Sequence, residues 1–413
     1  MKRSLIILTG DIGQTRGPTG TMTLNLVNYL QKKYDVTIVA KNISDECLSL
    51  DNVSIRSFID EYSKKIMVLN KSKTIGGKIQ LFFLRFFHNC FKFFSTNKFD
   101  KKNIEKYENL LFECLKKANS PIVMTFCEPH ETNLAVMSAK KRGHVAFDWI
   151  IYQLDRFSNG NSLYRYTFFK KKQREKYEHL ELEFIKHSKA LVALFPLRQH
   201  YESKQYDSCR KKIFYTDHPL LVEEKYNSPH FNRNSPCFVY GGSLDKKLRN
   251  PTKIFEIFNH LYRPYTVKFF SFGNCEQIVS RYCLLNNGIF QCGRVPRRRL
   301  IEEINCADVL ISIGNNSFEE VPSKFFDLLS YNKPIIHFYF NSNDRTIDYL
   351  NKMSLALAID LNRNFEENAS LVDNYLNHLA EIDQTKVVKN SAIFKECTPE
   401  YVADILIRII EGV

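Results

Sequence analysis

The chain reads as an α/β protein of two doubly wound domains. Three observations carry that reading: its 413 residues exceed what one hydrophobic core serves, 44% of them are apolar, and short β-rich runs alternate with longer helical patterns from end to end.

The first apolar run, Leu5 to Leu8, is followed by a loop rich in Gly and Thr (Thr9 to Thr21) and then by a helix from Thr21 to Lys33. Val36 to Ala40, Val53 to Ser57, Ile122 to Phe126, Ile150 to Leu154 and Ala190 to Leu194 are β-rich runs bounded by helical or turn-forming segments. Together they predict a Rossmann-like domain over residues 1–217. Residues 218–236 are polar, lack periodicity and have prolines at or near both ends, so they read as a linker. The alternation then restarts. Phe238 to Tyr240, Val267 to Ser271, Gly288 to Gln291, Val309 to Ile313, Pro334 to Phe338 and Leu355 to Ile359 predict a second such domain over 237–395. Residues 396–413 form a C-terminal segment with helical spacing from Glu400 to Ile410, able to pack back on the first domain. Two Rossmann-like domains facing across a cleft is the implied architecture, and open α/β sheets bind ligands at the carboxyl ends of their strands. The first strand-to-helix loop, with Gly17 and Gly20, is assigned to that cleft.

Composition narrows the setting. No run of 18 or so apolar residues occurs, and the start MKRSLIILTGDIGQ lacks a cleavage site, so neither a membrane span nor a signal peptide is expected. The 11 cysteines are scattered without a C-x-x-C pair, which argues against a zinc site or a disulfide framework and favours the cytoplasm. The net charge of +14 calls for a polyanionic partner, and residues 61–120 alone hold 13 Lys and Arg against 5 Asp and Glu.

The most informative stretch is CADVLISIGNNSFEEVPSKFFDLLSYNKPIIHF, from Cys306 to Phe338. A strand leads into a loop with Gly314, Asn315 and Asn316; Pro322 and Ser323 then start a helix, and Pro334 opens the next strand. A helix start offers free N–H groups to a phosphate, and Lys324 in its first turn makes sense beside an anion. Asp327, one turn later, is placed to accept hydrogen bonds from ribose hydroxyls.

The run VPSKFFDLLSYNKPII resembles the donor-binding signature of retaining GT-B glycosyltransferases of the family 4-like group, and Glu319 and Asp327 match its Glu-x7-Glu spacing, with Asp for the second Glu. The resemblance implies Glu319 at the donor sugar, Ser323 and Lys324 at the diphosphate, Asp327 at the ribose, and Val321 and Pro322 among the donor-binding residues. FVYGGSLDKKLRNP resembles the opening strand and phosphate loop of the second domain, with Gly241 and Gly242 at the turn. Ser243 stands where many members have Arg, so the positive charge falls to Lys247 or Arg249, of which Arg249 is preferred because the family's basic residue usually precedes an Asn or Gly. FQCGRVPRRRLIEEINCADVLIS resembles the segment that cradles the nucleotide base, around Gly293, Arg294 and Val295. The run Arg297 to Arg299 reads as a solvated helix start.

Such a transferase stabilises an oxocarbenium-like sugar and a departing diphosphate with fixed charge and dipoles, the role given to Lys324 and Arg249. Candidates for positioning the acceptor are Glu128 and His130 in FCEPHETN, and Asp155, all at carboxyl ends of strands. The expected partners are a nucleotide-diphosphate sugar and a glycan or lipid-linked acceptor, with retention, in cell-surface polysaccharide synthesis. No Asp-x-Asp pair stands at a strand end, so neither metal nor cofactor is expected.

Residues 78–94, KIQLFFLRFFHNCFKFF, repeat Phe at 82, 83, 86, 87, 91 and 94 with Lys78, Arg85, His88, Asn89 and Lys92 on the other side, and Lys98, Lys101 and Lys102 follow. This basic amphipathic pattern suits an acidic membrane surface through residues 78–102, at the inner face of the cell membrane, or equally a helix packed on the first sheet with a solvated cationic edge. Three competing functions remain on the sequence: a nucleotide-sugar epimerase of the same fold; a nucleic-acid-binding protein, for which no reader motif is visible; and a dinucleotide oxidoreductase, for which the fingerprint glycines are missing.

Overall fold

The computed structural model describes residues 2–12, 17–43, 50, 52–72, 74–95, 99–127, 129–143, 145–158, 160, 164, 167–223, 231–232, 234–316, 321–383 and 387–412. They form two compact units, one of Met1–Pro219 with Pro399–Val413 and one of Leu220–Thr398.

The first unit is built on a seven-stranded sheet of β1 (Ser4–Ile12), β2 (Asp35–Ile43), β3 (Val53–Ser57), β4 (Ile122–Phe126), β5 (Asp148–Gln153), β6 (Ala190–Leu194) and β7 (Ile213–Thr216). Its order is β3-β2-β1-β4-β5-β6-β7 and every pairing is parallel. Strands such as β4 and β6 are buried at every residue, which is why they read as unbroken apolar runs rather than alternating ones. Trp149 on β5 lies fully buried, its Nε1 donating to Thr125 Oγ1 at 3.0 Å.

Five helices of this unit bear on the argument: α1 (Pro18–Leu30), α2 (Glu61–Lys71), α3 (Ile75–Phe94), α4 (Lys101–Leu115) and α5 (Glu131–Arg142). Helices α2, α3 and α4 begin at side-chain caps: Asp60 accepts from Ser63 N, Thr74 from Gly77 N and Asp100 from Lys102 N. Helix α5 ends where Gly143 takes a φ of 66°, a left-handed stop that suits glycine. The helix Pro399–Glu411 packs on α1 and is fastened by Lys189 Nζ donating to Ile410 O at 2.6 Å and Tyr34 Oη to Glu411 Oε1 at 2.8 Å.

The second unit has a six-stranded sheet of β8 (Cys237–Leu244), β9 (Thr266–Gly273), β10 (Ile289–Gln291), β11 (Val309–Ile313), β12 (Ile335–Tyr339) and β13 (Ala356–Asp360), ordered β10-β9-β8-β11-β12-β13 and parallel throughout.

Three expectations need correction. Strand β1 continues to Ile12 through residues read as loop, because β2 runs alongside it as far as the Ile12–Ile43 pair, and α1 begins at Pro18 rather than Thr21. Gly241, Gly242 and Ser243 lie inside β8 rather than at a turn, since β9 stays in register with them as far as Gly273. The phenylalanines of α3 do not pack on the sheet: Phe82, Phe86, Phe87, Phe91 and Phe94 are exposed.

In each sheet the strand order reverses once, between β1 and β4 and between β8 and β11. Connections leave these pairs toward opposite faces, so the loops after their carboxyl ends part and leave a crevice there.

Candidate functional site

In the second unit the crevice between β8 and β11 is bounded by the loop after β8, which carries Arg249, and the loop after β11, Gly314 to Asn316. The two loops are tied together. Arg249 Nε donates to Asn315 Oδ1 at 2.7 Å, and Asn316 N donates to Leu248 O at 2.9 Å. Arg249 N returns to Asp245 O at 2.8 Å, which closes its own loop.

The loop after β11 is itself held from below. His337 on β12 lies beside Ser312 Oγ on β11 at 2.8 Å through Nδ1, and beside Asp344 Oδ2 at 3.1 Å through Nε2. All three side chains are buried. The hydrogen bonds from His337 and Thr346 hold the Asp344 carboxyl below the usual range, against the opposing effect of burial. A Cβ on Gly314 would stand 2.1 Å from Asp344 Oδ2, so only glycine lets the backbone pass this close.

Lys324 rises from the helix Ser323–Leu329 and lays its ammonium over β8, donating to Gly241 O at 2.9 Å. A Cβ on Gly242 would meet Tyr240 Oη at 2.9 Å and Lys324 Nζ at 3.2 Å, so the glycine makes room for the lysine. Tyr240, raised to about 12 by burial with Arg249 pulling the other way, donates to Ser243 O at 2.9 Å. Enclosure of its ammonium, with Arg249, Arg297 and Arg294 nearby and Asp327 opposing, lowers the pKa of Lys324 to about 8 even though the residue keeps a solvent-exposed face. Phe272 on β9 lies beneath both Arg294 Cζ, 5.1 Å from its ring centre, and Lys324 Nζ, 5.9 Å away. Gly293 takes a φ of 67° and turns the chain at the head of this group.

The carboxylate in the cluster, Asp327, is engaged by Arg297 at 2.9 Å, so Arg297 is neither a merely solvated residue nor a free clamp. Among the described residues the arrangement is therefore a group of cations over the carboxyl end of β8, where Gly242 is buried and Leu300 lies against Gly241, with its acid already paired. The helix Ser323–Leu329 has seven residues, Val321 and Pro322 are buried at its start, and the full charges of Lys324, Arg249 and Arg294 outweigh its short dipole. Glu319 lies outside the described residues.

A lysine nine positions on behaves differently. Lys333 is 1% exposed, donates to Asn305 O at 2.7 Å and to Ala307 O, and is lowered to about 8 by burial. It closes the end of the helix Arg297–Cys306, a structural task.

In the first unit the loops after β1, β4 and β5 carry the other candidates. Gly17 caps α1 without a side-chain bond, and Gly20 is buried within α1. Glu128 lies outside the described residues. His130 caps α5 and packs its ring against Phe157 at 4.6 Å and Phe99 at 6.1 Å. Burial among these rings lowers its pKa to about 4, with Glu181 opposing, so it is neutral at physiological pH; among the described residues its buried Nδ1 has no hydrogen-bond partner. Asp155, two residues before Phe157, stands at the end of β5 with its carbonyl taken by Gln153 Nε2. The fold thus brings His130 to the segment holding Asp155.

Sequence reasoning missed the Glu181 cluster below them. This buried carboxylate accepts from Tyr206 Oη at 2.6 Å and Tyr201 Oη at 2.7 Å and lies 3.3 Å from His200 Nε2. Nothing in its helical, charged surroundings, EKYEHLELEF, sets it apart. Phe272, Tyr240 and His337 were missed because each sits on a strand that reads as plain core. Among the described residues no three His, Cys, Asp or Glu side chains gather as metal ligands.

No protein-family model and no curated protein matches the chain by sequence. Solved structures do match along its whole length. TarM aligns with a TM-score of 0.63 at 10% identity, covering 99% of both chains. A sucrose-phosphate synthase from Thermosynechococcus elongatus aligns at 0.62 and 10%, again over 99% of both. WaaG, a glycosyltransferase involved in lipopolysaccharide biosynthesis, aligns at 0.55 and 11%, over 97% of this chain and 99% of its own. The fold is thus that of the GT-B proteins, two parallel-sheet Rossmann-like domains, as the sequence predicts.

Proposed function

We propose that this protein is a glycosyltransferase that takes a sugar from a nucleoside-diphosphate sugar and transfers it, with retention, to a glycan or lipid-linked acceptor in cell-surface polysaccharide synthesis. The observation that carries the reading is the ammonium of Lys324 held over Gly241 and Gly242, with Arg249 and Arg294 beside it and Asp327 already paired. Cations gathered at the carboxyl end of β8 form a receptor for a compact polyanion. Solved glycosyltransferases of the same fold supply the context.

In this reading the diphosphate meets Lys324 and Arg249 on their solvent side, and the base lies toward Gly293 to Val295. As the acceptor oxygen bonds to the anomeric carbon, the bond to the β-phosphate oxygen breaks and its electron pair leaves with the diphosphate. The acceptor hydroxyl enters on the face that the diphosphate leaves and passes its proton to the departing β-phosphate oxygen, which keeps the configuration. Lys324 and Arg249 stabilise the charge that accumulates on the departing group, and the cations are in place before it forms. Asp327, held by Arg297, faces the ribose, and Glu319 is assigned to the donor sugar. In the first unit Asp155, Glu128 and the neutral His130 are assigned to the acceptor.

The test is incubation with a panel of nucleoside-diphosphate sugars and cell-surface glycan acceptors, following released nucleoside diphosphate and the anomeric configuration of the product by NMR. Release of one nucleoside diphosphate with an α-linked product from an α-linked donor supports the proposal. Conversion of the donor into its epimer, or no turnover with any donor, overturns it.

A further inference from the structure

Helices α2 and α3 form a hairpin, with Tyr62 stacked on His88 at 3.9 Å between ring centres. That contact uses one side of α3 only. On its other side Phe82, Phe86, Phe87, Phe91 and Phe94 are each 51% exposed or more, and Ile75 reaches 78%. Rings one turn apart stack in two ladders, Phe82 on Phe86 at 6.3 Å and Phe83 on Phe87 at 6.2 Å, so the face is a continuous apolar ridge. Isolated apolar residues on a surface need no partner, whereas a contiguous ridge of this extent marks an interaction surface.

The fold adds a second segment to it. Phe168 N donates to Phe93 O at 3.1 Å, their rings lie 6.4 Å apart, and Gln173 Nε2 donates to Ser95 O at 2.7 Å. This fastens the start of the helix Lys170–His187, with exposed Phe168, Lys170, Lys171 and Lys172, to the end of α3. The two segments share one peculiarity of composition. Residues 62–99 contain eight Lys or Arg and no Asp or Glu, and residues 156–174 contain six and none.

We propose that this composite surface, α2–α3 together with Phe168 to Lys172, binds the anionic face of a lipid bilayer. The phenylalanines enter the headgroup boundary and the lysines meet lipid phosphates. Charge complementarity selects this occupant. A second copy would set one predominantly cationic face against another. Nucleic acid would answer the charge, but the exposed aliphatics beside the rings, Ile75, Ile79, Met67 and Val68, offer nothing to a base and suit acyl chains. Among the described residues no helix is long and apolar enough to cross a membrane, so α3 lies along the interface. The inference stands apart from the transferase reading.

The experiment is co-sedimentation of the purified full chain with phosphatidylcholine vesicles lacking or containing phosphatidylglycerol, at low and high salt, beside analytical ultracentrifugation and a nucleic-acid binding assay. Binding should be at least about tenfold tighter to the anionic vesicles and should weaken with salt. Phe86→Ser/Phe87→Ser/Phe91→Ser should remove it, with the melting transition and any nucleotide-induced stabilisation unchanged because these side chains are exposed. Lys170→Glu/Lys171→Glu/Lys172→Glu should weaken anionic binding by about tenfold or more. Absence of vesicle binding by the folded chain, binding of nucleic acid alone, or a dimer dissolved by the Phe variant overturns the proposal. An intact affinity in the triple-Glu variant overturns the part played by the second segment. Loss of vesicle binding with nucleotide binding retained leaves the transferase reading untouched, and the reverse leaves this one untouched.

Discussion

Two regions of the molecule are rich in cations, and they are built on opposite plans. In the second unit the charges of Lys324, Arg249 and Arg294 converge on the carboxyl end of β8 and are held by a carbonyl, an asparagine and an aromatic ring. On α3 the cations Lys78, Arg85 and Lys92 stand around exposed phenylalanines. Convergence with fixed geometry suits one small polyanion, and a cationic rim around apolar rings suits an extended anionic surface. A net charge of +14 therefore describes no single partner; its placement separates two tasks.

The sharpest way to break this comparison is to remove one cation from the converging group. Lys324→Ala should lower affinity for the nucleoside diphosphate by roughly 10- to 100-fold, the range of a charge-assisted hydrogen bond, and leave vesicle binding as it was. Loss of both activities would mean that the two regions are not separate. Gly242→Ala comes next. Its Cβ would press on Tyr240 Oη and Lys324 Nζ, and displacing the lysine should cost about tenfold in donor affinity with vesicle binding unchanged, as read by calorimetry.

A pH series sharpens the same contrast. Lys324 has its pKa lowered to about 8 by burial and neighbouring arginines, so it carries its charge below that pH and loses it above. Diphosphate affinity should be near its full value at pH 7, decline through about pH 8 and fall further above it, by up to about tenfold per unit. Vesicle binding should show no such break near 8. The smallest effect on function is expected from Lys333→Met, which should lower stability by about 1–3 kcal/mol in a denaturant titration and leave both binding activities intact. Lys333 and Lys324 have similarly lowered pKa values, and geometry tells them apart: one is sealed onto helix-end carbonyls, the other has an open side.

The fold was legible because parallel strands buried on both faces, such as β4, β6 and β11, stand out as apolar runs between helical periods. Strand ends were less legible, since Gly241 to Leu244 belong to β8 through pairing with β9 and not through their own propensity. In the candidate site, Lys324 could be named from its place at a helix start, and Arg249 from the resemblance of FVYGGSLDKKLRNP to the phosphate loop of the retaining GT-B transferases. Their supports could not. Asn315 finds Arg249 only because β8 and β11 are neighbours, and His337 meets Asp344 across a loop whose shape depends on Gly314. The aromatic helix was visible as an amphipathic pattern, but whether its rings face a sheet or solvent is a tertiary fact, and the junction with Phe168 joins residues 75 positions apart.

The central claim is that the cations over Gly241 and Gly242 receive a nucleoside diphosphate. Isothermal titration of the wild-type chain and Lys324→Ala with each nucleoside diphosphate at pH 7 tests it most directly. The account predicts binding of one of them by the wild type and a loss of roughly 10- to 100-fold in the variant. Equal affinity in the two folded proteins, or no binding of any nucleoside diphosphate by the wild type, would contradict it.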